Sequence, residues 1–394
     1  MESNTTNGHE QRADGFVFEF NSLYSYFSTL TDKRKPRGLR YPLAVILTLI
    51  VLAKLCGQDR PSGIAEWAQN RAESLAKALH LKRMKMPHHS TYRRIFEEVV
   101  DIQELESMTS RFLRSRPKAG RSVVVVIDGK VLRGTIPSPN ERGIYLLAAY
   151  LPEEKLVLAQ VEVDGKENEI TAAPSLLSGL DLYHKIVIGD AMHTQRQVSM
   201  QIYLAGGDYV WLVKENQPRL RWDLEKMFEP QKPMRGVGRL PDDFKTAVKT
   251  GKGHGRLEER RITVSSQLKD YVDWPYLEQA FKLERRFLYI KTGQIKKETL
   301  YGITSLPKTQ ASPEMLLAIV RAEWGIENGL HYRRDVTFQE DHVRMTRGKA
   351  GRAMAVINNL VIGLLARQGY ENYASARRWY DAHPTDALDL IWLL

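Results

Sequence analysis

From Phe16 to about Arg116 the apolar residues recur with helical spacing, and the strongest signal is the run Leu43 to Cys56, opened by Pro42. A bilayer-spanning helix takes about 20 residues, so this shorter run, which also holds Lys54, predicts a buried helix. Ile64, Trp67, Ala68, Leu75 and Leu79 form a second stripe and predict helix over 64–81. Pro87 then breaks the pattern, Ser90 offers an N-cap, and a short helix carries Tyr92, Arg93 and Arg94 near its start. Helix, turn and short basic helix fit a DNA-binding helix-turn-helix. They fit a plain helical hairpin with solvated arginines equally well.

Beyond a basic stretch at 111–121, which reads as a linker, the texture changes. Ser122 to Ile127 is almost uniformly β-branched and predicts a strand buried on both faces. Ile144–Leu151, Leu156–Val163, Lys185–Asp190 and Tyr209–Val213 predict four more strands. Helices are predicted over Glu169–Leu177 and Thr194–Leu204. Three strands, helix, strand, helix, strand describes a mixed sheet covered by helices. Residues 217–304 are less regular, with a strand-like stretch from Arg260 to Ser265, and read as an insertion. Ser312 and Pro313 then open a helix that the pattern carries to about Arg334, and another helix runs from Lys349 to Arg367.

Composition sharpens this picture. A length of 394 residues suggests two or three domains, and 43% hydrophobic with 27% charged residues is ordinary for a globular chain with a sizeable core. The expected division is a disordered tail over 1–15, a helical domain over 16–118 and an α/β domain over 119–394. The lone Cys56 excludes an intramolecular disulfide and a multi-cysteine zinc site, which fits a reducing cytosol. The opening Met1–Asp14 is polar and lacks a signal-peptide core, so the expected location is cytoplasmic, close to the nucleoid. The net charge of +11 predicts attraction to polyanions, nucleic acid first.

The candidate chemistry lies at strand ends. Asp128 follows one buried strand and Asp190 another, and in open α/β sheets functional sites gather at such carboxyl ends. One aspartate there is usually a turn former or a cap; two are more suggestive if their strands are parallel neighbours. Glu327 extends the stripe Leu316, Val320, Trp324, which places it on the buried face of its helix. A buried carboxylate needs a cation or donors. Either a salt bridge to Arg334 or a metal would serve. Three converging carboxylates can hold two Mg²⁺ or Mn²⁺ ions, hard cations that prefer oxygen, about 4 Å apart on a phosphodiester. The stretch Gly251–Gly255 lacks a P-loop ending, so no nucleotide cofactor is expected.

These residues sit in segments that carry a resemblance. Val126-Ile127-Asp128-Gly129-Lys130-Val131-Leu132-Arg133-Gly134, Gly189-Asp190-Ala191-Met192-His193-Thr194-Gln195 and Trp324-Gly325-Ile326-Glu327-Asn328-Gly329-Leu330-His331-Tyr332 look like the three signatures of the H-repeat-associated transposases. These are DDE transposases of bacterial insertion sequences. Arg37–Pro42, Ile64–Ala68, Lys166–Ile170, Lys252–Arg256 and Asp335–Asp341 also match, so the resemblance spans nearly the whole chain past the first 15 residues.

The resemblance implies a ribonuclease H-like α/β core with a β-rich insertion, preceded by an α-helical domain. It implies Asp128, Asp190 and Glu327 as catalytic, metal-binding residues for cut-and-paste DNA transposition with two Mg²⁺ or Mn²⁺ ions. The partner would be double-stranded DNA, engaged by a homodimer and without a membrane. Lys130, Arg133, His193, Arg334, Arg93, Arg94, Lys252 and Arg256 are the candidate DNA contacts. The wider superfamily often shows a Tyr-Arg-Glu-Lys signature around the glutamate, and here Glu323 and Arg334 stand where its Arg and Lys would be. The alternative is a decayed transposase that binds DNA without cutting it.

Overall fold

The computed structural model describes residues 9–11, 17–19, 22–37, 39–115, 123–165, 168–229, 243–253 and 255–392. The tail expected at 1–15 lies mostly outside them, although His9–Gln11 pairs with Val17–Glu19 in a short antiparallel ribbon. Residues 116–121 of the expected linker also lie outside, as does Ser122 of the strand expected after it, while Arg111–Arg114 belong to a helix.

The molecule is organised by one sheet of nine strands. They are β1 (Val124–Val131), β2 (Tyr145–Leu151), β3 (Leu156–Val163), β4 (Ile186–Gly189), β5 (Asp208–Val213), β6 (Lys245–Gly253), β7 (Arg256–Ser265), β8 (Gln279–Tyr289) and β9 (Ile295–Thr304). Their order across the sheet is β3-β2-β1-β4-β5-β9-β8-β7-β6. β1, β4 and β5 are parallel, and β2 and β3 are antiparallel additions at one side, so the sheet is mixed as expected. The residues of the insertion do not form a separate body: β9 pairs antiparallel with β5 and continues the sheet outward through β8, β7 and β6.

Alternation along the strands makes two cores. Val126, Ile188, Val210 and Leu212 face one side, packed with Leu316, Val320 and Ile326; Val125, Ile127, Val187, Tyr209 and Trp211 face the other. The second face is covered by the helices Glu169–Ser178, Arg196–Leu204 and Pro218–Phe228, which contribute Ala172, Leu176, Val198, Ile202, Leu220 and Leu224. A strand buried on both sides has no polar alternation to show, which is why these strands read as uniform apolar runs.

The first face continues into the N-terminal helices. Leu43–Leu55 is buried on every side, with Lys54 neutralised by Asp59 at 3.0 Å. The helical stretch predicted over 64–81 forms as two helices, Pro61–Asn70 and Ala72–Ala78, broken at Arg71. His88, not Ser90, caps the short helix His89–Arg94. At the far end of the chain, Tyr373–Ala382 returns to this region: Arg377 bonds the Lys54 carbonyl and pairs with Asp59 at 2.7 Å. The last residues thus pack on the N-terminal helices rather than on the sheet's far edge.

Candidate active site

Asp128 and Asp190 come together through strand register. β1 and β4 are parallel neighbours, and Ile127 stands opposite Gly189. The next residue on each chain is the aspartate. Ile127 points into the second core, so Asp128 turns to the opposite face, the one covered by Pro313–Ala322. Both aspartates line one cleft of about 410 Å³. Glu323 and Glu327 line it from the helix side, and Arg260, Arg285 and Glu298 line it from the insertion strands.

Glu327 corrects a sequence expectation. It is exposed in the cleft rather than buried, and it is not bonded to Arg334. The helix that begins at Pro313, capped by Ser312, ends its regular α-turns at Ala322. After a short α-turn at Trp324–Ile326 it widens into two π-turns, Glu327–His331 and Arg333–Thr337. The predicted stripe fails before these turns: Trp324 is exposed and Ile326 takes the buried position, so the face predicted from Leu316 and Val320 does not carry through to Glu327. Arg334 goes inward and pairs with the buried Glu340 at 2.8 Å.

The aspartates hold different partners. Asp190 caps the turn Ala191–His193, accepting the Ala191 N–H at 2.7 Å, and Lys214 Nζ lies 2.9 Å from the same oxygen. Burial pushes its carboxyl up, but the Lys214 ammonium and the Ala191 N–H outweigh that and hold it below the usual range. Lys214 directly follows β5, so Asp190 and Lys214 stand just past the carboxyl ends of their strands, and Asp128 stands on β1 just past its parallel pairing with β4. Lys214 escaped the sequence reading; its signal was its place just after a buried strand. His331 Nε2 lies 3.2 Å from Asp128 Oδ2, off the angle for a hydrogen bond. Glu323 was also missed. Burial, with the charges of Asp190 and Asp128 nearby, pushes its carboxyl up to about 7.

A second layer backs the site. Gly129 turns its α-carbon toward the other face, where the Glu169 carboxylate and the Tyr145 hydroxyl occupy the space a side chain would need. Glu169 is buried, accepting hydrogen bonds from Tyr145 and from His193 Nε2, the latter at 3.0 Å. Asn168 caps the helix that Glu169 begins.

This geometry redistributes the candidate DNA contacts. His193 is fully buried against Glu169, and Arg334 is 1% exposed against Glu340, so neither reaches the surface. Lys130 is tied to Asp335 at 2.6 Å with a largely buried side chain. Arg133, 77% exposed, is open to solvent, as are Arg93, Arg94 and Lys252. Arg256 lies over the Phe287 ring at 4.9 Å. His254 is outside the described residues.

The donor set is the one hard divalent cations take: carboxylate oxygens from two strand ends and one helix, in a polar cleft. No hydrogen bond among the described residues reaches the Asp128 carboxylate, and Asp190 keeps one oxygen unbonded. Among the described residues no three acidic or histidine groups stand close enough to hold an ion as the side chains lie. Lys214 instead neutralises Asp190. The residues present therefore fit an ion by chemistry and placement, with side-chain movement required to close around it.

Comparison with known proteins places the chain in a family. Residues 119–364 match the family described as Transposase DDE domain, and residues 24–113 match the one described as DDE_Tnp_1-associated. The H repeat-associated putative transposase YhhI of Escherichia coli (strain K12) is 28% identical over 351 residues, covering 88% of this chain and 91% of that protein. An uncharacterized protein in the dhlA 3′ region of Xanthobacter autotrophicus is 34% identical over 288 residues, 71% of this chain and 93% of that one. Among solved structures, the piggyBac transposase synaptic complex with hairpin DNA aligns with a TM-score of 0.44 at 11% identity, covering 93% of this chain and 78% of that one. With the family match spanning more than half of its length, the chain belongs to the transposase DDE domain family.

Proposed function

We propose that the protein cuts DNA at the ends of an insertion sequence and joins the freed ends to a target, a cut-and-paste transposition. The observation that carries this reading is the register Ile127–Gly189, which sets two carboxylates side by side at the head of a cleft that also holds Glu327. Asp128 and Asp190 would hold two Mg²⁺ or Mn²⁺ ions, with Glu327 completing the second site; bound there, they activate the attacking oxygen and stabilise the leaving oxygen of a phosphodiester. Lys214 compensates Asp190 until then, and its half-exposed ammonium can turn to a phosphate oxygen. Arg260 and Arg285 on the insertion wall add positive charge to the cleft but are held by Glu258 and Glu298, at 2.7 and 3.2 Å. They position the wall more than they bind. Acting on two ends calls for two copies of the chain.

Glu323 gives a second reading of the third ligand, because it is the glutamate on which the charges of both aspartates act. Glu327→Gln and Glu323→Gln separate the two: the true ligand's variant loses activity and the other retains it.

The test is strand cleavage and transfer on a supercoiled plasmid carrying the element's ends, with Mg²⁺ or Mn²⁺, comparing wild type with Asp128→Ala. Metal-dependent products joined to new DNA, absent in the variant, are expected. Salt-sensitive end binding without products in either protein would identify a silent, DNA-binding remnant instead.

A further inference from the structure

A groove of about 810 Å³ lies away from the catalytic cleft, where the N-terminal helices meet the segment 342–347. Arg60 enters it from the start of the helix Pro61–Asn70, Arg93 and Arg94 from the last turn of His89–Arg94, and Arg344 and Arg347 from the segment. All five are exposed. Among the described residues Arg60, Arg93, Arg94 and Arg347 form no ion pair, and Arg344 reaches only the Ile136 and Pro137 carbonyls. Glu97 and Glu98 also line the groove, so positive charge remains in excess. These exposed guanidinium groups line one channel without a carboxylate partner among the described residues, an arrangement that repels itself and favours an anion between its walls.

The segment is held rigidly. Val343 and Met345 are buried between the exposed arginines, and the Met345 N–H donates to the Gly134 carbonyl at 3.0 Å. Gly134 follows β1, the strand that carries Asp128. Gly348 adopts a positive φ of 50° where the chain passes close to the Glu97 backbone. The two walls of the groove are thus fixed to each other and to the strand that carries the site.

We propose that this groove binds the phosphate backbone of duplex DNA, with one wall from the N-terminal helices and one from the catalytic region. The inference rests on the transposase reading and gives it a DNA-docking surface. Guanidinium forks match phosphate oxygens, and rows of arginine on two facing walls suit a backbone ridge better than a flat patch does.

The test uses the full chain, EDTA and a fluorescein-labelled duplex carrying the element's end, followed by anisotropy. Each phosphate contact contributes about 0.9 to the slope of log K against log salt, so Arg93→Glu/Arg94→Glu and Arg344→Glu/Arg347→Glu should each lower that slope by about 1.8 between about 50 and 200 mM salt. Lysine at the same positions should restore most of the slope, and an unchanged melting temperature confirms the fold. Unchanged slopes in both pairs, with the loss appearing instead in Lys252→Glu/Arg256→Glu, overturn the groove while leaving transposition intact. Tighter binding of wild type to single-stranded RNA of equal length overturns the partner. Groove-dependent DNA binding by a protein that cuts nothing supports the groove and removes the transposition reading.

Discussion

Strands β2, β4 and β5 bury nearly every side chain and β1 buries Val125, Val126 and Ile127, whereas β6 buries only Ala247 and β9 only its last three residues. Both halves of the sheet wall the same cleft. In the first half each fully buried aliphatic side chain contributes roughly 1.5–3 kcal/mol, enough to fix the backbone and hence the strand ends that carry Asp128 and Asp190. In the second half β7 and β8 still bury Ile262, Val264, Phe281 and Leu283, but the cleft side carries exposed or half-buried ion pairs such as Arg285–Glu298 at 3.2 Å, each worth about 0–1 kcal/mol. The difference teaches where precision is needed. The half that must hold reacting groups is buried on both faces, and the half that shapes the cleft wall has fewer buried strands and lines the cleft with adjustable charges.

The largest effect should separate the halves directly. Asp190→Asn removes a proposed ion ligand, and losing several kcal/mol of transition-state stabilisation corresponds to a fall in cleavage of about 10³-fold or more. Mn²⁺ binding followed by electron paramagnetic resonance should weaken in the same variant. Arg285→Ala, on the charged wall, should cost far less. Equal losses in the two variants would break the contrast.

Stability should divide the same way. Ile127→Ala leaves a cavity in the buried half, and a cost of about 2–5 kcal/mol is expected from the shift of the urea midpoint. Such a loss should also lower cleavage, because Ile127 fixes the residue next to it.

A pH experiment sharpens the picture inside the cleft. The Glu323 carboxyl is pushed up to about 7 from an ordinary 4.5. Below 4.5 it is protonated whether the chain is folded or unfolded, and it costs nothing. As pH rises toward about 7 the unfolded chain ionises first, so the folded state loses on the order of 3 kcal/mol over that window and no more above it. In EDTA, Glu323→Gln should therefore be more stable than wild type at pH 8 and indistinguishable at pH 4. A difference that does not change with pH would show a solvated Glu323. A smaller effect is expected from Gly129→Ala. Its new methyl meets Glu169 and Tyr145, and overpacking of this kind costs about 1–3 kcal/mol while displacing Asp128.

The same contrast governs what could be read from the sequence. The first five strands, the two helices between them and both aspartates were legible because burial on two faces leaves unbroken apolar runs such as Val123 to Ile127. β6 was illegible because Lys245, Lys249 and Lys252 give it the look of a loop. Glu327 was placed on the wrong face because the stripe was extended through Trp324, which is exposed, whereas the buried face runs through Ile326. Lys130 and Arg334 read as DNA contacts, and His193 as a possible one, because their carboxylate partners are remote or unmarked: Asp335 is 205 residues from Lys130, and Glu169 is 24 residues from His193. The resemblance supplied the link from Glu327 to the aspartates that periodicity could not.

The smallest expected effect is the most informative about the outer half. Val248 lies on β6, the edge strand, and is 48% exposed. Its neighbour Ala247 carries that strand's only buried contact, opposite Ile262 on β7. Val248→Ala removes two methyl groups from solvent-facing surface and leaves every ladder hydrogen bond in place, so its effect should fall within about ±0.5 kcal/mol. DNA cleavage should be unchanged as well. A loss of more than about 1 kcal/mol would mean that Val248 is covered in solution, and since hydrophobic burial is the term that scales with area, the cover would have to be apolar. The outer half would then belong with the inner one, and the division between a precise half and an adjustable half would fall.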